Sequence, residues 1–218
     1  MRQPAIFKPA VAIFALFVGI TAGVRADVIA WNEAVNGEFS HNGLAPTPVP
    51  FVGGGNDVLG TDGRPAAATD PLNPDYFTFT VPAGFALTAV NVLDITSAGP
   101  LEISFIGLEA GPAITLPTNA TSAAGLLGWW HTGPTDIGTD ILPEMSLPAQ
   151  GSSGFATPLG PGQYAVWIEE TGVCGPDLCR YNYDFVLTPV TEPASLILLA
   201  SALVGAGLMR RPFKRNGI

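Results

Sequence analysis

The chain has 218 residues, 9 of them basic and 18 acidic, for a formal net charge of −9. That length corresponds to one domain or little more, and 26 glycines and 21 prolines beside 47% hydrophobic residues describe a folded, turn-rich protein of β character rather than a disordered one. With 12% charged residues a coiled coil is not expected, and between Asp27 and Val190 two arginines (Arg64 and Arg180) and no lysine face 17 carboxylates, a balance of −15. A body so charged repels phosphate backbones and anionic lipid, so nucleic-acid binding and peripheral membrane binding are excluded as its sole function.

The chain opens with Arg2 and Lys8, then the apolar run from Ala10 to Val24, then Val24-Arg25-Ala26. This is the basic, apolar and small-residue order of a secretory signal peptide, with cleavage expected after Ala26. A retained anchor fits less well, because the run is short and contains Gly19 and Gly23. The expected organisation is a signal helix over 1–26, a body over 27–190 and a distinct segment over 191–218.

Within the body, Gly53-Gly54-Gly55 precedes Asn56 and Asp57 and reads as a turn, since it lacks the lysine and helix start of a phosphate loop. Asn56, Asp57, Asp62, Asp70, Asn73 and Asp75 fall within 20 residues of turn-rich chain, and Asp136 and Asp140 in another such stretch. Hard oxygen donors on loops suit Ca²⁺, which makes Asn56, Asp57, Asp62, Asp70 and Asp75 the candidate metal ligands. The spacing is not that of an EF-hand, and turn-forming Asx residues in solvated loops are the alternative reading.

Next, Tyr76 to Val81 alternates, with Phe77, Phe79 and Val81 on one face and Tyr76, Thr78 and Thr80 on the other. Pro82-Ala83-Gly84 breaks that strand. Leu87 to Ile95 is β-rich without clean alternation, as expected of a strand covered on both faces. Leu101 to Phe105 alternates again, and Asn119 to Trp130 is expected to hold one short helix. After Gly160-Pro161-Gly162, Tyr164, Val166 and Ile168 share a face, and further on so do Tyr181, Tyr183, Phe185 and Leu187. Repeated short strands with Gly/Pro turns specify an all-β, jelly-roll-like antiparallel sandwich.

Cys174 and Cys179, the only cysteines, lie between the last two of these strands. In an exported protein they are expected to form a disulfide closing a hairpin loop; two cysteines without a third ligand make an incomplete metal site.

Catalytic machinery is not indicated, and no catalytic residue is assigned. His41 and His131 lack a nucleophile context, no Gly-x-Ser-x-Gly or His-Glu-x-x-His occurs, and a body without lysine has no Ser-Lys dyad. Glu169 and Glu170 are neighbours on a strand and point to opposite faces. Trp129, Trp130 and Trp167 are the candidate carbohydrate-stacking residues. Trp167 shares a face with Gln163 and Glu169, away from Val166 and Ile168, so it is either partly exposed or buried beneath a loop.

The last apolar run, Ala194 to Met209, carries no charge and is followed by Arg210, Arg211, Lys214 and Arg215. Sixteen residues span about 24 Å as a helix, enough to act as a single stop-transfer segment with the basic end in the cytoplasm and the body outside. Thr191-Glu192-Pro193-Ala194-Ser195, then this run, then Arg210-Arg211, resembles the PEP-CTERM sorting signal of Gram-negative exopolysaccharide-producing bacteria, departing from it at Thr191, where proline is usual. The resemblance implies recognition by an exosortase after signal peptidase has acted. It also implies an inner-membrane-tethered intermediate and delivery to the cell surface or extracellular matrix.

The body carries a second resemblance. Asp75 to Gly84, then Leu159-Gly160-Pro161-Gly162-Gln163-Tyr164, then Tyr183-Asp184-Phe185, is similar to the bacterial pre-peptidase C-terminal domain, a jelly-roll sandwich with an accessory or adhesive role. The expected function is therefore that of a non-enzymatic exported surface or matrix protein associated with exopolysaccharide or biofilm. The alternative is a carbohydrate-binding module, Ca²⁺-dependent or not, that holds exopolysaccharide through its tryptophans.

Overall fold

A computed structural model of the chain describes residues 27–63, 71–96, 104–170, 174 and 179–190. The signal peptide, Arg64, Asp70 and the whole 191–218 sorting segment lie outside the described residues, and among the described residues no helix is long and apolar enough to cross a membrane.

Among the described residues, nine strands build two facing sheets: β1 (Val28–Asn32), β2 (Thr47–Pro48), β3 (Asn56–Asp62), β4 (Asp75–Val81), β5 (Phe85–Ile95), β6 (Ser104–Ala110), β7 (Gly128–Thr132), β8 (Gly162–Glu170) and β9 (Cys179–Pro189). One sheet has the order β1-β3-β9-β5 and the other β2-β4-β8-β6-β7. Two one-turn helices, α1 (Glu33–Asn36) and α2 (Leu142–Met145), sit in connections. The β-sandwich expected from the sequence is therefore the architecture, with one difference: β1 pairs with β3, and β2 with β4, in parallel.

The core forms where the alternating apolar faces meet. Phe77 and Phe79 of β4 pack against Phe185 of β9 with ring centroids 5.8 and 5.6 Å apart, joining one sheet to the other. Val58, Leu87, Val90, Val92, Ile106, Val166 and Ile168 fill the same layer, all buried.

Three local expectations are corrected. Leu87 to Ile95 is not covered on both faces: Leu87, Val90, Val92 and Ile95 are buried, while Leu93 and Asp94 are exposed. Its alternation fails because β5 carries register shifts between Leu87 and Ala89 and between Val92 and Asp94, and each bulge returns the next apolar residue to the core. No helix forms within Asn119 to Trp130, where turns lead straight into β7; Gly125 at φ +117° and Gly128 disfavour helical continuation. Cys174 and Cys179 are disulfide-bonded with Cα atoms 5.2 Å apart, yet the loop they close is not a hairpin loop. β8 and β9 lie in different sheets, so the disulfide sits on a crossover between them.

Candidate functional site: an aromatic cleft on the outer face of one sheet

On the outer face of β6, β7 and β8 the pairing register lines up two rows of side chains. Glu169, Phe105 and His131 lie opposite one another on β8, β6 and β7; Trp167, Gly107 and Trp129 form the next row. Gly107 leaves a gap between the two indoles, and the ring of Phe105 folds into it. A Cβ at position 107 would stand 2.9 Å from Cε1 and Cζ of Phe105 and 3.1 Å from Cδ1 of Leu126. The result is a continuous aromatic platform. Phe105 stacks on Trp129 at 5.9 Å and meets Trp167 edge-on at 4.8 Å, while His131 stands edge-on to Trp129 at 5.0 Å.

The connection from β6 to β7 folds back over part of this platform. Ile114, Ala123 and Leu126 pack with Tyr76 and Trp167 into a second apolar cluster outside the main core. Ile114 is tied to Gly43, and Ala123 to Gln150, by backbone hydrogen bonds of 2.8 Å. What remains open is a cleft of about 380 Å³, within the usual range of ligand sites. Phe105, Trp129 and His131 line its floor, and Thr118, Thr121, Ser122 and Gln150 form an exposed polar rim.

The three candidate tryptophans have three different fates. Trp167 is buried beneath the loop, 7% exposed, and its Nε1 donates to Oε2 of Glu169 at 2.9 Å. Trp129 is half-buried, anchored through Nε1 to the carbonyl of Ala149 at 3.1 Å, with the rest of the indole facing the cleft. Trp130, 36% exposed, points to the other face of the edge strand β7 and stays outside the cleft. Phe105, which the sequence does not join to them, and Glu169, on the Trp167 face of β8, complete the platform. The cross-strand register that unites them is set by pairings 22 to 64 residues apart, and no local spacing carries it.

His131 and Glu169 both line the cleft, but two strand spacings separate them, roughly 9–10 Å, with Phe105 of β6 between. Partial desolvation against the neighbouring rings lowers the basicity of His131. His41 is exposed in the loop after Ser40. Neither histidine forms a hydrogen-bonded pair with a carboxylate of the cleft.

The acidic candidates do not form one loop. Asn56 to Asp62 is strand β3, and its side chains divide between the two faces. Asn56 spends its amide on the backbone, accepting from Val52 N at 2.8 Å and donating to the carbonyls of Val52, Gly54 and Phe185. Asp57 stands on the outer face opposite Asp184, whose charge joins burial in raising its pKa. Asp62 and Asp75 point inward and are almost wholly buried, which pushes both carboxyls well above the ordinary range. Asp75 accepts from Tyr181, and Asp62 from Ser104. Asn73 donates to the carbonyl of Thr61. Asp136 accepts from the amide of Gly133, and Asp140 from those of Val90 and Leu142, both as backbone caps. Among the described residues no three Asp, Glu, His or Cys side chains come together in a metal-holding arrangement.

The chain matches no family model, no curated protein and no solved structure.

Proposed function

We propose that this protein is a non-enzymatic, exported component of the cell surface or extracellular matrix, and that its body is a carbohydrate-binding module holding exopolysaccharide in the aromatic cleft. The observation that carries the reading is Trp129. Its indole is fixed through Nε1, faces an open cleft and is framed by Thr118, Thr121, Ser122 and Gln150. A rigid apolar ring face beside a rim of hydroxyl and amide groups suits a sugar, which offers one C–H face and a belt of hydroxyls. The separation of His131 from Glu169 supports a binding rather than a hydrolytic role.

Delivery belongs to the same reading. Signal peptidase would release 1–26, and an exosortase would process the chain near Thr191-Glu192-Pro193, with 194–209 halting translocation and Arg210, Arg211, Lys214 and Arg215 holding the tail inside. The chain order also supports the finer, jelly-roll-like description of a domain related to the pre-peptidase C-terminal type. It passes from one sheet to the other at β1–β2, β2–β3, β3–β4, β4–β5, β5–β6 and β8–β9.

A glycan array probed with the full chain tests the binding reading. Retention of polysaccharide by the wild type and its loss on Trp129→Ala is the expected result; no retention of any glycan would leave the folded bulk alone as the working element. C-terminal peptide sequencing of the surface-located form tests the delivery: termini near Thr191 are expected, and an intact tail in most molecules would defeat it.

A further inference from the structure

We infer that the outer face of the other sheet carries a second glycan site, one that takes a neutral sugar through a pair of adjacent hydroxyls. A pocket of about 290 Å³ opens there, at the small end of ligand-site volumes. Strand register builds its floor. Asn32, Leu59, Asn182 and Asp94 stand side by side on β1, β3, β9 and β5, and Thr61 and Arg180 form the next row, about 7 Å along the strands. All six line the pocket, and α1 walls one end of it.

The polar groups of this pocket are uncommitted. Among the described residues Arg180 enters no ion pair and its guanidinium makes no hydrogen bond, the Asp94 carboxylate accepts none, and Oδ1 of Asn182 is shielded from water yet has no donor. The Asn32 side chain commits only its Oδ1, which accepts from the amide of Ala34 at 3.0 Å. A sheltered acceptor without a donor costs free energy, and a ligand hydroxyl seated beside Asp94 supplies one.

The donors and acceptors select the class. A carboxylate would meet Arg180 but face Asp94, and an ammonium would meet Asp94 but face Arg180. Two neighbouring hydroxyls satisfy both, one accepting from the guanidinium and the other donating to Asp94, with Leu59 beneath for a C–H face. Glu33, also at the wall, spends its carboxylate on the amides of Phe39 and Thr61.

The pocket and the aromatic cleft lie on opposite outer faces of a sandwich whose sheets pack about 10 Å apart, so they open in opposite directions. A stiff polymer seated on one face does not reach the other. A protein that holds sugar at each therefore bridges two polysaccharide chains, with the gain that multivalency brings. The bridging rests on the glycan reading of the cleft; the pocket does not.

The test follows the backbone amide resonances of the full chain as hexamers of glucose, mannose, galactose and, for the charged comparison, glucuronate are titrated in. With at least one neutral hexamer, amides of 59–61, 94–96 and 180–182 are expected to shift, in addition to those of 121–123 and 129–131 at the cleft. Arg180→Gln and Asp94→Ala, both at exposed positions, should each weaken binding at the first set about ten-fold and leave the second set unchanged. Shifts at the cleft alone overturn this inference and leave the cleft reading standing. Shifts at the pocket alone keep this site and remove the cleft from the function. A pocket that answers only to the glucuronate hexamer, or that keeps wild-type affinity in both variants, overturns the inference, and silence at both sites overturns both readings.

Discussion

The phenol of Tyr181 donates to Oδ2 of Asp75 across 2.7 Å, and the two residues belong to different sheets. Both are buried, so a polar clamp runs through an otherwise apolar interlayer. Its space comes from Gly60. That residue pairs with Tyr181 across β3 and β9, and a Cβ there would collide with the Tyr181 hydroxyl.

This clamp makes stability depend on pH. Burial first, then the charge of Glu33, holds the Asp75 carboxyl well above its ordinary pKa, against the lowering effect of the Tyr181 bond; Asp62 is raised by burial and by Glu170. A carboxyl whose pKa is raised on folding favours the folded state in its protonated form. That stability is complete below the unfolded-state value and is lost as pH climbs through the folded-state value. The protein is therefore expected to melt at a higher temperature near pH 5 than near pH 8. Asp75→Asn keeps an acceptor for Tyr181 without a charge and should narrow that difference. Calorimetry at the two pH values decides; an unaltered difference in the variant would remove Asp75 from the account.

Gly60→Ala should be costly for so small a change. The added methyl drives the Tyr181 phenol away from Asp75, combining overpacking with the loss of a buried hydrogen bond, about 2–4 kcal/mol together. Denaturant unfolding monitored by tyrosine absorbance measures it, and a loss below about 0.5 kcal/mol, the level of an ordinary surface change, would show that the ring relocates freely.

The Cys174–Cys179 disulfide closes a loop with a sequence separation of 5. Loop-closure entropy for so short a span predicts about 2 kcal/mol of stabilisation. The Cys174→Ser/Cys179→Ser double variant should lose that amount with its β-sheet circular dichroism intact. Collapse of the sandwich instead would assign the crossover from β8 to β9 a larger role than tethering.

The sheets were legible in the sequence where side-chain chemistry follows the pleat. Phe77, Phe79 and Val81, and Tyr181, Tyr183, Phe185 and Leu187, face the core as their alternation requires. β3 was hidden because its inward positions are Asn56, Val58, Gly60 and Asp62, three of them unlike core residues. Each has a tertiary reason: backbone bonding at 52–56 for Asn56, room for Tyr181 at Gly60, and a buried hydrogen bond from Ser104 for Asp62. Tyr76 lies on the polar-reading face of β4 yet is 2% exposed, because the connection after β6 covers it, a contact no local period encodes. The same holds for the cleft. Its tryptophans were visible as residues, and Glu169 shares the Trp167 face by local alternation, but Trp129 and Phe105 join them only through strand register.

Trp129 and Trp167 stand on the same face in one cross-strand row, with Gly107 between them, and their substitution should separate binding from scaffolding. Trp167 is buried, hydrogen-bonded to Glu169 and packed against Tyr76 at 5.9 Å, so Trp167→Ala removes a structural side chain and should cost about 3–5 kcal/mol. Trp129 presents much of its indole to the cleft, on an edge strand where the loss of packing is smaller. Trp129→Ala should then cost about 1–2 kcal/mol in stability while weakening polysaccharide retention by ten-fold or more, as expected when a rigid aromatic anchor is truncated. Affinity electrophoresis through polysaccharide-containing gels, run beside thermal melts of both variants, reads the two quantities independently. A Trp129→Ala protein that keeps wild-type retardation in the gel would assign that indole to packing alone and take the cleft out of the function.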